Sequence, residues 1–145
     1  MRITGLSFGL LLFSCLVSCL EVAAAEQTPF AAIAELATAL SENDPDGVLR
    51  NFDSQMKDYG AIEANVEALA AQADVSCAID IVKDDESNGV HKLDLDWFME
   101  LKSQGNNPQL ERRRERVQIE MREIKGKWKI IALSPLSIFD PIKIP

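Results

Sequence analysis

The hydrophobic period of this chain changes once, at Asp74, and that change decides what it can fold into. Before it, apolar residues recur at helical spacing: Phe30, Ile33, Leu36, Ala37 and Leu40; then Val48, Leu49 and Phe52; then Ile62, Val66, Leu69, Ala70 and Ala73. After it they alternate. Val75, Cys77, Ile79 and Ile81 are separated by Ser76, Ala78 and Asp80, and Leu93, Leu95, Trp97, Met99 and Leu101 by mostly charged neighbours. Strict alternation marks strands buried on one face, the habit of antiparallel sheets. The order predicts an α+β fold: three N-terminal helices packed on the concave face of a curved four-stranded antiparallel sheet.

Local signals place the boundaries. Thr28-Pro29 and Asp44-Pro45 each start a helix, with a capping side chain followed by a proline whose missing N–H costs nothing in the first turn. The second helix stops near Phe52, Asp53 to Asp58 is a connection, and a third helix runs from Tyr59 to Ala73. Asp84 to Gly89 reads as a polar turn, which puts His91 opposite Ile81 on the first hairpin. Further strands span about Val90 to Leu101, Leu110 to Ile124 and Trp128 to Leu133, with a tight turn at Lys125-Gly126. An irregular tail holds Pro135, Phe139 and Pro141.

The run Arg112-Arg113-Arg114-Glu115-Arg116 invites a nucleic-acid reading, and register argues against it. If the second and third strands form a hairpin whose paired residue numbers sum to 212, Leu95 meets Val117 and Leu93 meets Ile119. The same register sets Glu100 against Arg112, Asp96 against Arg116 and Lys92 against Glu120. Opposite charges then meet on the outer face, each pair contributing roughly 0.2–1 kcal/mol. With 15 basic and 23 acidic residues the chain carries a net charge of −8, unsuited to binding nucleic acid.

The first residues read as an address. Arg2 precedes a nearly apolar stretch from Ile3 to Val17, and Ala23-Ala24-Ala25 supplies small residues for cleavage, the layout of a secretory signal peptide over residues 1–25. Leu16-Val17-Ser18-Cys19 also resembles a lipobox. In that reading residues 1–18 are removed and Cys19 carries a lipid, with Leu20 after it as in outer-membrane sorting. The expected location is therefore periplasmic or secreted, with a membrane tether through Cys19 as the lipoprotein alternative. Cleavage leaves Cys77 as the thiol of the domain, expected to be buried and inert in a strand.

The element order, with the closing run Trp128-Lys129-Ile130-Ile131-Ala132-Leu133 followed by Pro135 and Phe139, resembles the nuclear transport factor 2-like superfamily over residues 28–141. The short hairpin that many members carry between the second and third helices is reduced here to Asp53–Asp58. The resemblance implies a cone between helices and sheet. It also implies a range of functions, from ketosteroid isomerases, epoxide hydrolases and polyketide cyclases to non-catalytic binding domains.

In such a cone Leu95, Trp97, Met99 and Tyr59 are the expected pocket residues. Arg113, Glu115, Tyr59 and His91 are the candidates for catalysis, with Glu111 as a second inward carboxylate. Asp80, Asp94 and Asp96 fall on the outer face, so no inward Asp is expected. One His without an inward acidic cluster predicts no metal site, and no glycine-rich phosphate loop or other motif implies a cofactor. The leading expectation is a non-catalytic domain binding a small apolar molecule or a protein partner. A small hydrolase or isomerase and a structural homodimer packed through its sheet faces are the alternatives.

Overall fold

The computed structural model describes residues 27–143; the expected signal segment and Cys19 lie outside the described residues. Three helices come first: α1 (Pro29–Ser41), α2 (Pro45–Leu49) and α3 (Tyr59–Gln72). Four antiparallel strands follow in the order β1-β2-β3-β4: β1 (Ala73–Ser87), β2 (Val90–Ser103), β3 (Leu110–Ile124) and β4 (Lys127–Ser134). A 3₁₀ turn, Leu136–Phe139, ends the fold. The sheet is curved and unclosed.

Both proline-led helices start as their sequences dictate. Thr28 Oγ1 accepts from the Ala31 N–H at 3.1 Å, and Asp44 Oδ1 accepts from the Gly47 N–H at 3.0 Å. Two strand connections are two-residue turns with left-handed backbone, Asn88 (φ 54°) with Gly89 (φ 77°) and Lys125 (φ 52°) with Gly126 (φ 80°). The β2–β3 register is the expected one: Leu95 faces Val117, Leu93 faces Ile119 and Glu100 faces Arg112. Arg112 reaches Glu100 at 2.9 Å and Lys92 reaches Glu120 at 3.5 Å. Asp96 differs. It lies opposite Arg116 in the ladder but bonds diagonally to Arg114 at 2.6 Å, and this bond holds its carboxyl below the usual carboxylate range.

The first hairpin departs from expectation at its tip. β1 continues through Ser87, so only Asn88-Gly89 turns, and His91 faces Glu86 rather than Ile81. The cause is a β-bulge at Val82: Ile81 pairs with Leu95, and the next pair is Lys83 with Asp94. One extra residue exchanges the two faces beyond it. Asp84 thereby joins Leu93 on the concave face, where no Asp was expected. A second bulge at Ile131 lies between the pairs Met121–Ile130 and Glu120–Ala132.

The concave face is packed solid. Leu95, Trp97, Met99 and Leu101 of β2 are each 0% exposed, as are Leu36 of α1 and Ile138 and Phe139 of the 3₁₀ turn. The Phe139 ring meets Trp97 edge-on at 5.5 Å and Phe52 at 6.1 Å. Phe52 itself bridges to Ile130, so residues 51–53 cover the β4 edge of the sheet. Replacing Trp97 with Ala removes the largest side chain of this layer and should cost about 3–5 kcal/mol in denaturant unfolding. Arg112→Ala, on the outer face, should change stability far less; equal losses would show the face assignment to be wrong.

Candidate functional site

Two of the four candidates for catalysis, Arg113 and Glu115, lie far along the sheet from His91. Arg113 is inward and its side chain is 11% exposed, yet its partners are the protein's own. Its Nε donates to Glu111 at 3.1 Å, Nη1 to the Ile138 carbonyl at 3.1 Å and Nη2 to the Pro141 carbonyl at 3.5 Å. Glu111 is thus the carboxylate paired with Arg113, not Glu115. Glu115 lies half-buried opposite Trp97 and forms no ion pair among the described residues. His91 sits across from Met121, eight positions along β3 from Arg113, which separates the two by roughly 26 Å. Tyr59 opens α3, half-buried against the core. Burial, followed by the charges of Glu63, Asp46 and Glu67, raises its phenol above the usual range.

The expected pocket residues are similarly placed. Leu95, Trp97 and Met99 lie wholly inside the core and line none of the grooves described below. The Trp97 indole N–H has no hydrogen-bond partner among the described residues. Beside it, burial pushes the Cys77 thiol up to about 12, with the indole acting in the opposite direction. A thiol held so far from ionisation is a packing residue.

The Val82 bulge assembles a group that alternation alone conceals. His91 Nδ1 lies 2.8 Å from Asp84 Oδ1, and Nε2 is 4.0 Å from Glu86 Oε2. The Trp128 ring meets the imidazole edge-on at 5.0 Å. A carboxylate on Nδ1 fixes one tautomer and leaves the Nε2 lone pair available. The only sequence trace of this arrangement is the doubled apolar pair Ile81-Val82, which breaks the alternation. Ile130-Ile131 marks the second bulge in the same way.

Two open grooves lie outside the core. The first, of about 600 Å³, is on the outer face of the sheet at the β4 side. Met56, Ile131 and Ala132 line it together with charged side chains that include Lys57, Lys83 and Asp94. The second, of about 810 Å³, runs between α1 and the β3–β4 turn, and its lining includes Gln27, Glu35, Arg50, Lys127, Trp128 and Lys129.

No protein-family model matches the sequence, and no curated protein is significantly similar to it. Solved structures are similar in shape. A candidate scytalone dehydratase from Novosphingobium aromaticivorans superposes with a TM-score of 0.63 at 11% identity, covering 72% of this chain and 77% of that one. A conserved protein from Planctomyces limnophilus gives 0.62 at 7% identity over 70% and 87%. A protein designed on the nuclear transport factor 2 fold gives 0.50 at 16% identity over 70% and 90%. The chain has the nuclear transport factor 2-like fold. Within that fold the C-terminal turn closes the cone, with Phe139 buried against Trp97 and Arg113 donating to the Ile138 carbonyl. Arg113→Ala strands the Ile138 carbonyl and should cost about 1–3 kcal/mol. Amide exchange should rise first in residues 136–142; unchanged exchange there would show that Arg113 is not the clamp.

Proposed function

We propose that this is an exported, non-catalytic domain that binds a protein partner on the outer face of its sheet. The observation that carries this reading is the filled cone. Leu95, Trp97, Met99 and Phe139 are each 0% exposed, so a small apolar ligand has no vacant volume to enter without displacing the tail. The outer groove has the other character, apolar residues at Met56 and Ile131 among charged ones, which suits a protein surface better than a small apolar molecule. Export follows from the segment before Ala25, with Cys19 lipidation as its membrane-tethered form. The homodimer reading has less support, because the outer face is dominated by paired charges such as Arg112–Glu100 and Arg114–Asp96.

A second reading, a small hydrolase or isomerase, is favoured by one observation: the Asp84–His91 pair, an imidazole oriented as a general base is oriented. It lacks a convergent partner set on the sheet, since Arg113 and Glu115 lie eight and six positions along β3 from the residue opposite His91.

A photo-crosslinking residue placed at Ala132, in the outer groove, tests the first reading in the native host. It should give a discrete protein adduct, and the same residue at Ser76 on β1 should not. Native mass spectrometry of the purified protein should then show no retained small molecule. A retained molecule that shields the Met99 methyl group would overturn the filled-cone argument, and one in contact with His91 would transfer the case to the second reading.

A further inference from the structure

The two edges of the sheet are finished differently. Along β4 the outward groups of Ile130 are taken: its N–H donates to the Asn51 carbonyl at 2.8 Å, and its carbonyl accepts from the Asp53 N–H at 2.9 Å. β1 is the other edge strand, and among the described residues only its start is covered. The Asn43 amide donates to the Ala73 carbonyl at 2.9 Å, and the Cys77 N–H donates to Ser41 Oγ at 3.1 Å. The Cys77 bond fixes the parity of the strand. Alternate residues turn their N–H and C=O to the same side, so Ile79 and Ile81 also present theirs at the outer edge. Among the described residues nothing bonds to these groups. An unpaired row of this kind is a template for another strand.

The side chains beside the row decide what can pair there. Charges and bulges blunt an exposed edge, and β1 has them late: the Val82 bulge and Lys83, Asp84, Asp85 and Glu86 all follow Ile81. Between Ala78 and Ile81 the one charge is Asp80. On the concave side Ile79 and Ile81 are half-buried, and Val82 after them is 55% exposed. On the outer side Asp80 lies directly opposite Asp96, and like charges so placed weaken a ladder. Arg114 senses Asp80, but its hydrogen bonds go to Asp96. Arg114 and Arg116 both stand on β3, two strands in from β1, a backbone spacing of roughly 10 Å. Along β1 the next cation, Lys83, pairs with Asp85 at 3.0 Å. The charges of this row balance as a set, and the acid is the one at the edge.

We propose that the Ala78–Val82 edge of β1 takes up an extended segment of a partner protein as a fifth strand, one whose side chains alternate between apolar and basic. Its apolar side chains continue the Ile79–Ile81 side of the sheet, and a lysine or arginine on the other side stands next to Asp80. A second copy of this chain suits the edge poorly. Antiparallel pairing of β1 with itself over this stretch sets the two Asp80 carboxylates opposite each other or two positions apart, on chains of net charge −8. None of Ala78, Ile79, Asp80 and Ile81 lines either groove, so the proposal stands apart from the outer-groove reading. Ser76 lies before the stretch, beside the part of the edge that Ser41 already covers.

The test is an amide NMR titration of the purified full chain with two synthetic heptapeptides, one alternating valine with lysine and one alternating valine with glutamate. The lysine peptide should shift the Ile79 and Ile81 amides saturably and slow their hydrogen exchange at least tenfold. The glutamate peptide should bind at least tenfold more weakly, and Asp80→Lys, an exposed substitution, should remove that preference. Ile79→Pro deletes one outward donor at a position where an edge strand tolerates proline. It should weaken the lysine peptide at least tenfold while near-ultraviolet circular dichroism stays unchanged. Unmoved Ile79 and Ile81 amides, equal binding of the two peptides, or an Asp80→Lys variant with its preference intact would overturn the proposal. Shifts confined to Ile131 and Ala132 would overturn it by assigning the peptide to the outer groove. A dimer in sedimentation that protects Ile79 and Ile81 without peptide would overturn it in favour of a second copy.

Discussion

The structure depends on one contact, the edge-on packing of Phe139 against Trp97. Trp97 stands at the middle of β2, a central strand of the sheet, and its side chain is fully buried. Phe139 packs on it edge-on and passes the contact on to Phe52, which secures the β4 edge. Sheet, tail and α2 connection thus meet in one aromatic cluster. Arg113 fixes the geometry from the side by donating to two tail carbonyls, so its charge is spent within the fold.

That arrangement bears directly on function. The fold places a cone between helices and sheet, and in this chain the cone is filled by its own C-terminus. What the outside offers is an apolar-and-charged groove on the outer sheet face.

Most of the fold was legible in the pattern of apolar residues because burial on one face imposes a period, and period is a local property. The β2–β3 register followed from matching Leu95 with Val117 and letting the charges fall into place. Three features were not legible, each for a physical reason. The bulge at Val82 adds a residue without changing composition, so Asp84, read as part of a turn, lies instead on β1 opposite Leu93, and His91 was given the wrong partner. Asp96 chose Arg114 over the directly opposite Arg116 because long side chains reach diagonal neighbours. Arg113 was read as available to a ligand because its partners, the Ile138 and Pro141 carbonyls, come from a tail that has no period at all. The expected address rests on sequence alone, since residues 1–26 lie outside the described structure.

The central claim is that the cone is full. Methionine-methyl NMR tests it most directly, because Met99 and Met121 are buried on the concave face while Met56 lines the outer groove. Titration with a small apolar probe such as benzene or indole should leave the Met99 and Met121 methyl resonances in place. Saturable shifts at Met99 and Met121, with Met56 unmoved, would mean that the cone admits ligands and that the tail is not its permanent filling.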